Sequence, residues 1–301
     1  MTSAPNTIDR PRQSGILRRL STFFFRHPRA RLWALLLLPI GWLVVGYLGS
    51  LAVMLVSAFW YLDPFTAEVV HEPTLDNFRT LLSEPVYRTI TIRTVTMAAA
   101  VTVACAVLAF PIAYYMARIA SRRTRRILVV AVLVPLWASY LVKVYTWRTI
   151  LAENGVLNWL LEPFGIKGPG YSLVGTWLVF TYLWLPYMII PIYAGLERIP
   201  PSLLEASADL GARSGRTFVR VVLPLAFPAI VAGSIFTFSL TLGDYITPEV
   251  VSSKQFIGNV IYDNIGVANN LPFAAAYAMV PIAIMVLYLY VAKRLGAFEN
   301  L

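Results

Sequence analysis

Two histidines, one cysteine and fifteen carboxylate side chains are all that this chain of 301 residues offers for bond-making chemistry. His27 and His71 are far apart in sequence, and no Cys/His cluster has the spacing of a metal site. Cys105 sits among alanines and valines, which suits inert packing, and a lone cysteine forms no disulfide within its chain. There is no Gly-x-x-x-x-Gly-Lys-Ser/Thr phosphate loop, no His-Glu-x-x-His pair and no nucleophile elbow. The sequence therefore predicts a chain without catalytic residues or a metal. Two patches remain that could bind something. One is the polar, arginine-bearing stretch 202–224; the other is Asp244 with Tyr245 beside it, an acid and an aromatic face of the kind that holds organic cations.

The elements that must position these patches are membrane helices. Hydrophobic residues make up 58% of the chain and charged residues 13%, about half the usual share of a soluble domain. Mean hydropathy is +0.68. Six long runs are nearly free of charge: 32–62, 94–117, 127–142, 171–196, 221–243 and 264–292. A helix needs about 20 apolar residues to cross a bilayer, and five of the six suffice. The third stops at Lys143, which is expected at the outer end of its span, where a lysine can snorkel to the headgroups. Strand-period alternation is absent, so the expected class is an all-α membrane protein with six transmembrane helices.

The net charge of +10 follows from topology. With the N-terminus cytoplasmic and the spans alternating, 18 of the 25 basic residues fall inside, including Arg118, Arg125, Arg213, Arg216 and Arg220. Both termini are then cytoplasmic by the positive-inside rule, and the basic excess is a lipid-facing signal instead of a nucleic-acid patch. Residues 1–31 read as a loose basic cytoplasmic tail, 32–292 as a six-span domain and 293–301 as a cytoplasmic end. The first apolar run, 31 residues, is far longer than the roughly 7–15 of a cleaved signal and reads as a retained anchor. Outside, 63–93 forms an acidic, proline-punctuated loop, 148–170 a second loop with a short interfacial helix near Asn158 to Phe164, and 244–272 a third.

Between the fourth and fifth runs, Pro200 and Pro201 end a helix. Ser202 stands three residues before Glu205, the spacing of a capping box, and Gly211 suits a left-handed stop. A short helix is expected at about Leu203 to Leu210, within a segment of about 198–220. Leu203, Ala206, Ser207 and Leu210 share one face, and the small residues allow close approach. On shape alone this is equally an amphipathic surface helix, and Arg213, Arg216 and Arg220 are equally anchors of topology.

The wider spacing says more. Glu205-Ala206-Ser207, three residues, Gly211, nine residues, Val221, one residue, then Leu223-Pro224 resembles the cytoplasmic signature of ABC importer permeases, which is Glu-Ala-Ala, three residues, Gly, nine residues, Ile, one residue, Leu-Pro. Ser207 and Val221 replace alanine and isoleucine with little change of size. The resemblance implies a type I ABC importer permease fold and a coupling helix that sits in a groove of a cytoplasmic ATPase. Ser202, Glu205, Ala206, Ser207, Gly211, Arg213, Leu223 and Pro224 would mark it. It also implies a second homologous permease subunit, two ATPase subunits that bind the ATP and magnesium, and an extracytoplasmic solute-binding protein. No cofactor is expected in this chain.

A second resemblance bears on the solute. Gly243-Asp244-Tyr245-Ile246-Thr247-Pro248-Glu249, with Phe256-Ile257-Gly258-Asn259-Val260-Ile261, is similar to the fifth-span exit of spermidine and putrescine permeases, as is Pro135-Leu136-Trp137 through Tyr145-Thr146-Trp147. A polycation's path should offer carboxylates and aromatic faces. Asp244, Tyr245, Trp137, Tyr140, Tyr145 and Trp184 are the candidates, although aromatics also gather at membrane interfaces for other reasons. An iron chelate, an oxyanion or another organic ion remains an alternative solute. An ion-driven secondary transporter is a further alternative, one that would want deep intramembrane acids or broken helices.

Overall fold

The computed structural model describes residues 25–294. They are overwhelmingly helical. Residues through Val56 form one compact unit and those from Ser57 a second. In the first unit α1 (Pro28–Trp42) carries Pro28 in its opening turn, where a missing N–H costs nothing, and continues through a π turn (Leu43–Leu48) into α2 (Gly49–Ser57). Arg31–Ser57 is long and apolar enough to span a membrane, and none of the described residues in 31–56 is buried. The loose tail expected to residue 31 falls mostly outside the described residues, but helix has begun by Pro28. The terminal stretch 293–301 is described only through Arg294, the end of the last helix.

The second unit opens with a two-residue antiparallel pair, β1 (Tyr61–Leu62) on β2 (Val69–Val70), in which Tyr61 faces Val70. Asp63 accepts the amides of Phe65 (2.7 Å) and Thr66 (3.0 Å) in the intervening turn. The sequence had suggested no strands. Helix α3 (Asp76–Ser83) precedes α4 (Pro85–Tyr114), which runs through a π turn (Tyr115–Ile119). Then come α5 (Arg122–Trp137), α6 (Tyr140–Leu151), α7 (Val156–Leu161) with a 3-10 turn (Glu162–Phe164), and α8 (Leu173–Arg198). The short interfacial helix was expected close to where α7 lies. Helices α9 (Pro201–Asp209) and α10 (Ser214–Thr217) follow; a π turn (Phe218–Val222) leads into α11 (Leu223–Gly243), and α12 (Ile246–Val251), α13 (Ile257–Gly266) and α14 (Leu271–Arg294) complete the unit.

Helices α4, α8 and α11 form the core. Val101, Cys105 and Ala109 of α4 meet Phe180, Leu183, Met188 and Ile192 of α8, with Ala226 of α11 in the same cluster. Cys105 is buried and its Sγ lies 3.6 Å from the Thr181 carbonyl, in keeping with inert packing. In lipid no hydrophobic force drives one helix against another, so close backbone approach and interhelical hydrogen bonds must do it. Gly195 lies against Ala229, and Gly233 against Met188, where an added Cβ would come within 2.7 Å of Sδ and 3.2 Å of Cα. Ser234 and Tyr288 hydroxyls meet at 2.6 Å, and those of Thr91 and Tyr277 at 3.1 Å, tying α14 to α11 and α4.

Three expectations need correction. The third apolar run is not one straight helix: α5 and α6 meet at 92°. Pro135 weakens the last turn of α5, and Ala138 and Ser139 are extended (ψ 141° and 135°). Lys143 is not a snorkelling residue at a helix end. It lies within α6, and its Nζ donates to the Pro135 carbonyl across the bend at 3.2 Å. The stretch 244–272 is no open outer loop. It folds into α12 and α13, with Thr247, Val251, Phe256 and Ile257 buried. Thr94 Oγ1 accepts the Ile257 amide at 3.1 Å, and Thr176 Oγ1 donates to the Val251 carbonyl at 3.4 Å.

Candidate functional site: a docking helix and a half-buried acid

The polar insert folds as a separate helix for reasons that lie in four residues. Helix α8 ends at Arg198, and Pro200 (ψ 136°) is extended because a proline follows it. Pro201 then opens α9. At the other end Gly211 takes φ +75°. Its amide bonds the Ala208 carbonyl (2.8 Å) and the Ala212 amide bonds the Ser207 carbonyl (3.1 Å), which together make a Schellman stop. The left-handed glycine is as expected. The capping box is not: Pro200 holds the cap position, and neither Ser202 nor Glu205 makes a capping bond. With Pro201 opening the helix, Ser202 lies inside the first turn, where its side chain no longer stands at the cap.

Helix α9 turns two faces to two surroundings. Leu204 is half-buried against the core, and the Ser207 hydroxyl meets that of Thr217 at 2.8 Å, fastening α9 to α10. Leu203, Glu205, Ala206 and Leu210 face outward, with Leu210 88% exposed. Arg213, Arg216 and Arg220 are exposed along the same segment. An exposed leucine pair beside small residues and a basic rim is suited to a groove with acidic edges. Leu223 and Pro224 lie not in this surface but at the start of α11, within one helical run of Ser214–Gly243. The π turn just before Pro224 accommodates the carbonyl of Arg220, which would otherwise bond the amide that proline lacks.

The second site is built where α6, α8, α11 and α12 converge. The Asp244 carboxylate accepts the Tyr140 hydroxyl, the Thr247 hydroxyl (2.8 Å) and the amides of Ile246 (2.9 Å) and Thr247 (3.1 Å). A carboxylate offers roughly four acceptor positions, so this set is filled from within the chain. Tyr140 also stacks on Trp184, with centroids 6.0 Å apart and planes 12° from parallel, and Trp184 meets Tyr187 edge-on at 5.9 Å. The buried Trp184 Nε1 has no hydrogen-bond partner. Asn259 holds the neighbouring turn by donating to the Tyr245 carbonyl (2.9 Å) and the Glu249 carboxylate (3.0 Å). Gly258 allows α13 to approach, since a Cβ there would sit 2.8 Å from the Asp244 carbonyl oxygen.

Of the path candidates read from sequence, Asp244, Tyr140 and Trp184 are thus brought together. Tyr245 lies at the edge, stacked on Tyr262 at 4.7 Å. Trp137 (82% exposed) and Tyr145 stand on the exterior of α5 and α6, outside the cluster. Sequence reasoning passed over Thr247, which the Asp-x-x-Thr spacing after a helix could have flagged, and Tyr187, which carries no such signal.

The family described as "Binding-protein-dependent transport system inner membrane component" matches residues 106–297, which contain both sites. The chain is 48% identical to the inner membrane ABC transporter permease protein YdcU of Escherichia coli (strain K12), over 99% of this chain and 100% of that protein. It is 30% identical to the spermidine/putrescine transport system permease protein PotB of the same organism, over 87% of this chain and 96% of that one. Among solved structures, a bacterial alginate ABC transporter in complex with a pentasaccharide-bound periplasmic protein superposes with a TM-score of 0.68 at 20% identity, covering 92% of this chain and 98% of that one.

Proposed function

The chain belongs to the binding-protein-dependent transport system inner membrane components, the permease subunits of ABC importers, and we propose that the solute it passes is a polyamine. It is accordingly a multi-pass inner-membrane protein. The observation that carries the solute class is the Asp244 cluster: a half-buried carboxylate beside the stacked faces of Tyr140 and Trp184 at the bend of the third span. Such a place favours a flexible organic cation, each aromatic face contributing about 0.5–2 kcal/mol. The likeness to PotB supports the same class. Because the carboxylate is filled in this state, it acts first through its negative potential, and directly only once Tyr140 and α12 separate.

The partners proposed with this reading are a second homologous permease, two ATPase subunits that bind ATP and magnesium, and an extracytoplasmic solute-binding protein. Both termini and α9 face the cytoplasm, where the arginines of the insert lie. Glu205, Ala206 and the flanking Leu203 and Leu210 form the surface that enters the ATPase groove; Ser207 acts through α10, and Gly211 holds the helix end. A loaded binding protein docks outside, ATP closes the ATPases, and α9 passes that motion to the spans. A broken span beside a half-buried acid would also suit an ion-driven carrier, but membership of this family favours ATP.

The test is uptake of labelled putrescine and spermidine by the assembled complex in proteoliposomes, competed with iron chelates and oxyanions. Polyamine uptake that needs internal ATP supports the reading. ATP-dependent uptake of an oxyanion or iron chelate by the same vesicles, with no uptake of either polyamine, overturns the solute class.

A further inference from the structure

Two arginines that charge sorting alone would leave in the headgroups are instead turned into the protein. Arg118, in the π turn that ends α4, sends Nη2 to the carbonyls of Leu196 (2.6 Å) and Ile199 (2.7 Å). Its Nε is buried with no hydrogen-bond partner. Arg125, in the first turn of α5, donates through Nε to the Met116 carbonyl (3.0 Å) and through Nη2 to that of Ala117 (3.1 Å). Its Nη1 reaches Glu197 Oε1 at 3.2 Å.

These bonds join the ends of three spans at a single place. The last carbonyls of a helix have no partner within it, and they carry the negative end of its dipole. Arg118 satisfies such carbonyls at the end of α8, and Arg125 does so at the end of α4 while gripping α8 through Glu197. Ile199 is the residue before Pro200, the cap of α9. The grip therefore lies at the hinge between α8 and α9, with no flexible linker between them. Topology would need only a positive charge near this level. It would need neither the reach of Nη2 to two carbonyls nor a buried Nε left unpaired, which is unfavourable in itself.

We propose that Arg118 and Arg125 are positioning residues that carry displacement of α9 to α4 and α5 as well as to α8. This rests on the reading of α9 as the ATPase-docking helix. When α9 moves, the hinge carbonyl at Ile199 moves with it, and through its bond to Arg118 Nη2 pulls the end of α4 in the same step. Arg125 then draws the start of α5, the arm of the bent span that leads towards Tyr140.

The experiment uses the complete complex in proteoliposomes, with ATP hydrolysis and solute uptake measured on the same vesicles. Arg118→Lys keeps the charge and hence the topology but ends one bond short of where Nη2 meets the two carbonyls. Its complex should assemble and hydrolyse ATP, with uptake per ATP reduced about 3- to 30-fold, the range of mutations along a coupling route. Arg118→Met should lose more. If Arg118→Met fails to assemble, Arg118→Lys still decides. Unchanged uptake per ATP in Arg118→Lys overturns the proposal. So does a proportional fall of hydrolysis and uptake, which marks a plain helix cap. Leu210→Glu, measured alongside, separates the underlying reading: if it leaves both ATPase association and uptake intact, α9 is not the docking helix. If it releases the ATPase while Arg118→Lys behaves as wild type, only the arginine grip is wrong.

Discussion

Replacing Gly211 by valine should uncouple the docking helix without disturbing the spans. Gly211 sits at φ +75°, and nothing lies within 4 Å of where its Cβ would be. A side chain therefore meets open space, and the whole effect comes from the backbone. An L-residue in the left-handed region is disfavoured by roughly 1–2 kcal/mol, and a β-branched one by at least that. Relief of that strain requires breaking the bonds from the Gly211 and Ala212 amides to Ala208 and Ser207, which define the end of α9. The population with α9 correctly ended should fall about 5- to 30-fold, since each 1.4 kcal/mol is a factor of ten. Asparagine tolerates this conformation, so Gly211→Asn is the matched control. In purified complexes, Gly211→Val should lower uptake per ATP by a factor in that range, with thermal melting of the membrane domain unchanged and Gly211→Asn close to wild type. Equal behaviour of valine, asparagine and glycine would refute the argument that this left-handed stop sets the position of α9.

Tyr140→Phe removes one of four donors to the half-buried, charged Asp244 carboxylate and should destabilise the protein by about 1–3 kcal/mol; an unshifted melting curve in detergent would show that the hydroxyl holds nothing. Gly233→Leu forces α11 from Met188, where backbone atoms lie 3.2 and 3.3 Å from the added Cβ. A loss of about 1–3 kcal/mol is expected, and shortening Met188 to alanine should not restore it, because the clash includes backbone. The Asp63 carboxyl is held below its ordinary value of 3.8 by the Thr66 amide and then by that of Phe65. The order it lends the 63–66 turn is therefore present above pH 3.8 and lost as pH falls through the lowered value; the Thr66 amide resonance should titrate with a midpoint below 3.8, and Asp63→Asn should abolish that titration.

Much of the docking segment was legible because its determinants are local. Pro200 and Pro201 interrupt a helix by their own covalent geometry, and Gly211 is permitted where other residues are strained. The cap was misread for an equally local reason: Ser202 and Glu205 have the right spacing, but Pro201 starts the helix one residue earlier and puts Ser202 inside its first turn. The bend after Pro135 was half legible. The proline marked a weak point, yet a proline inside an apolar helix is often absorbed, as Pro186 and Pro191 are within α8. Whether it becomes a 92° turn depends on what receives the carbonyls left open where α5 stops, here Lys143 on the next helix for that of Pro135.

Composition and charge, by themselves, determined that this chain lies in a membrane as helices, because lipid leaves the backbone no other partner and the basic residues cluster in alternate segments. The signature spacing determined its family. Tertiary structure alone decided what individual charged residues do. Asp244 reads as a free acid at a helix end until Tyr140, from a segment about a hundred residues earlier, closes on it. Arg118 and Arg125 read as topology until the ends of α4 and α8 meet around them. In both cases the deciding partners are backbone carbonyls, amides or hydroxyls from distant segments, and only packing says which of them lie within 3 Å of a given charge.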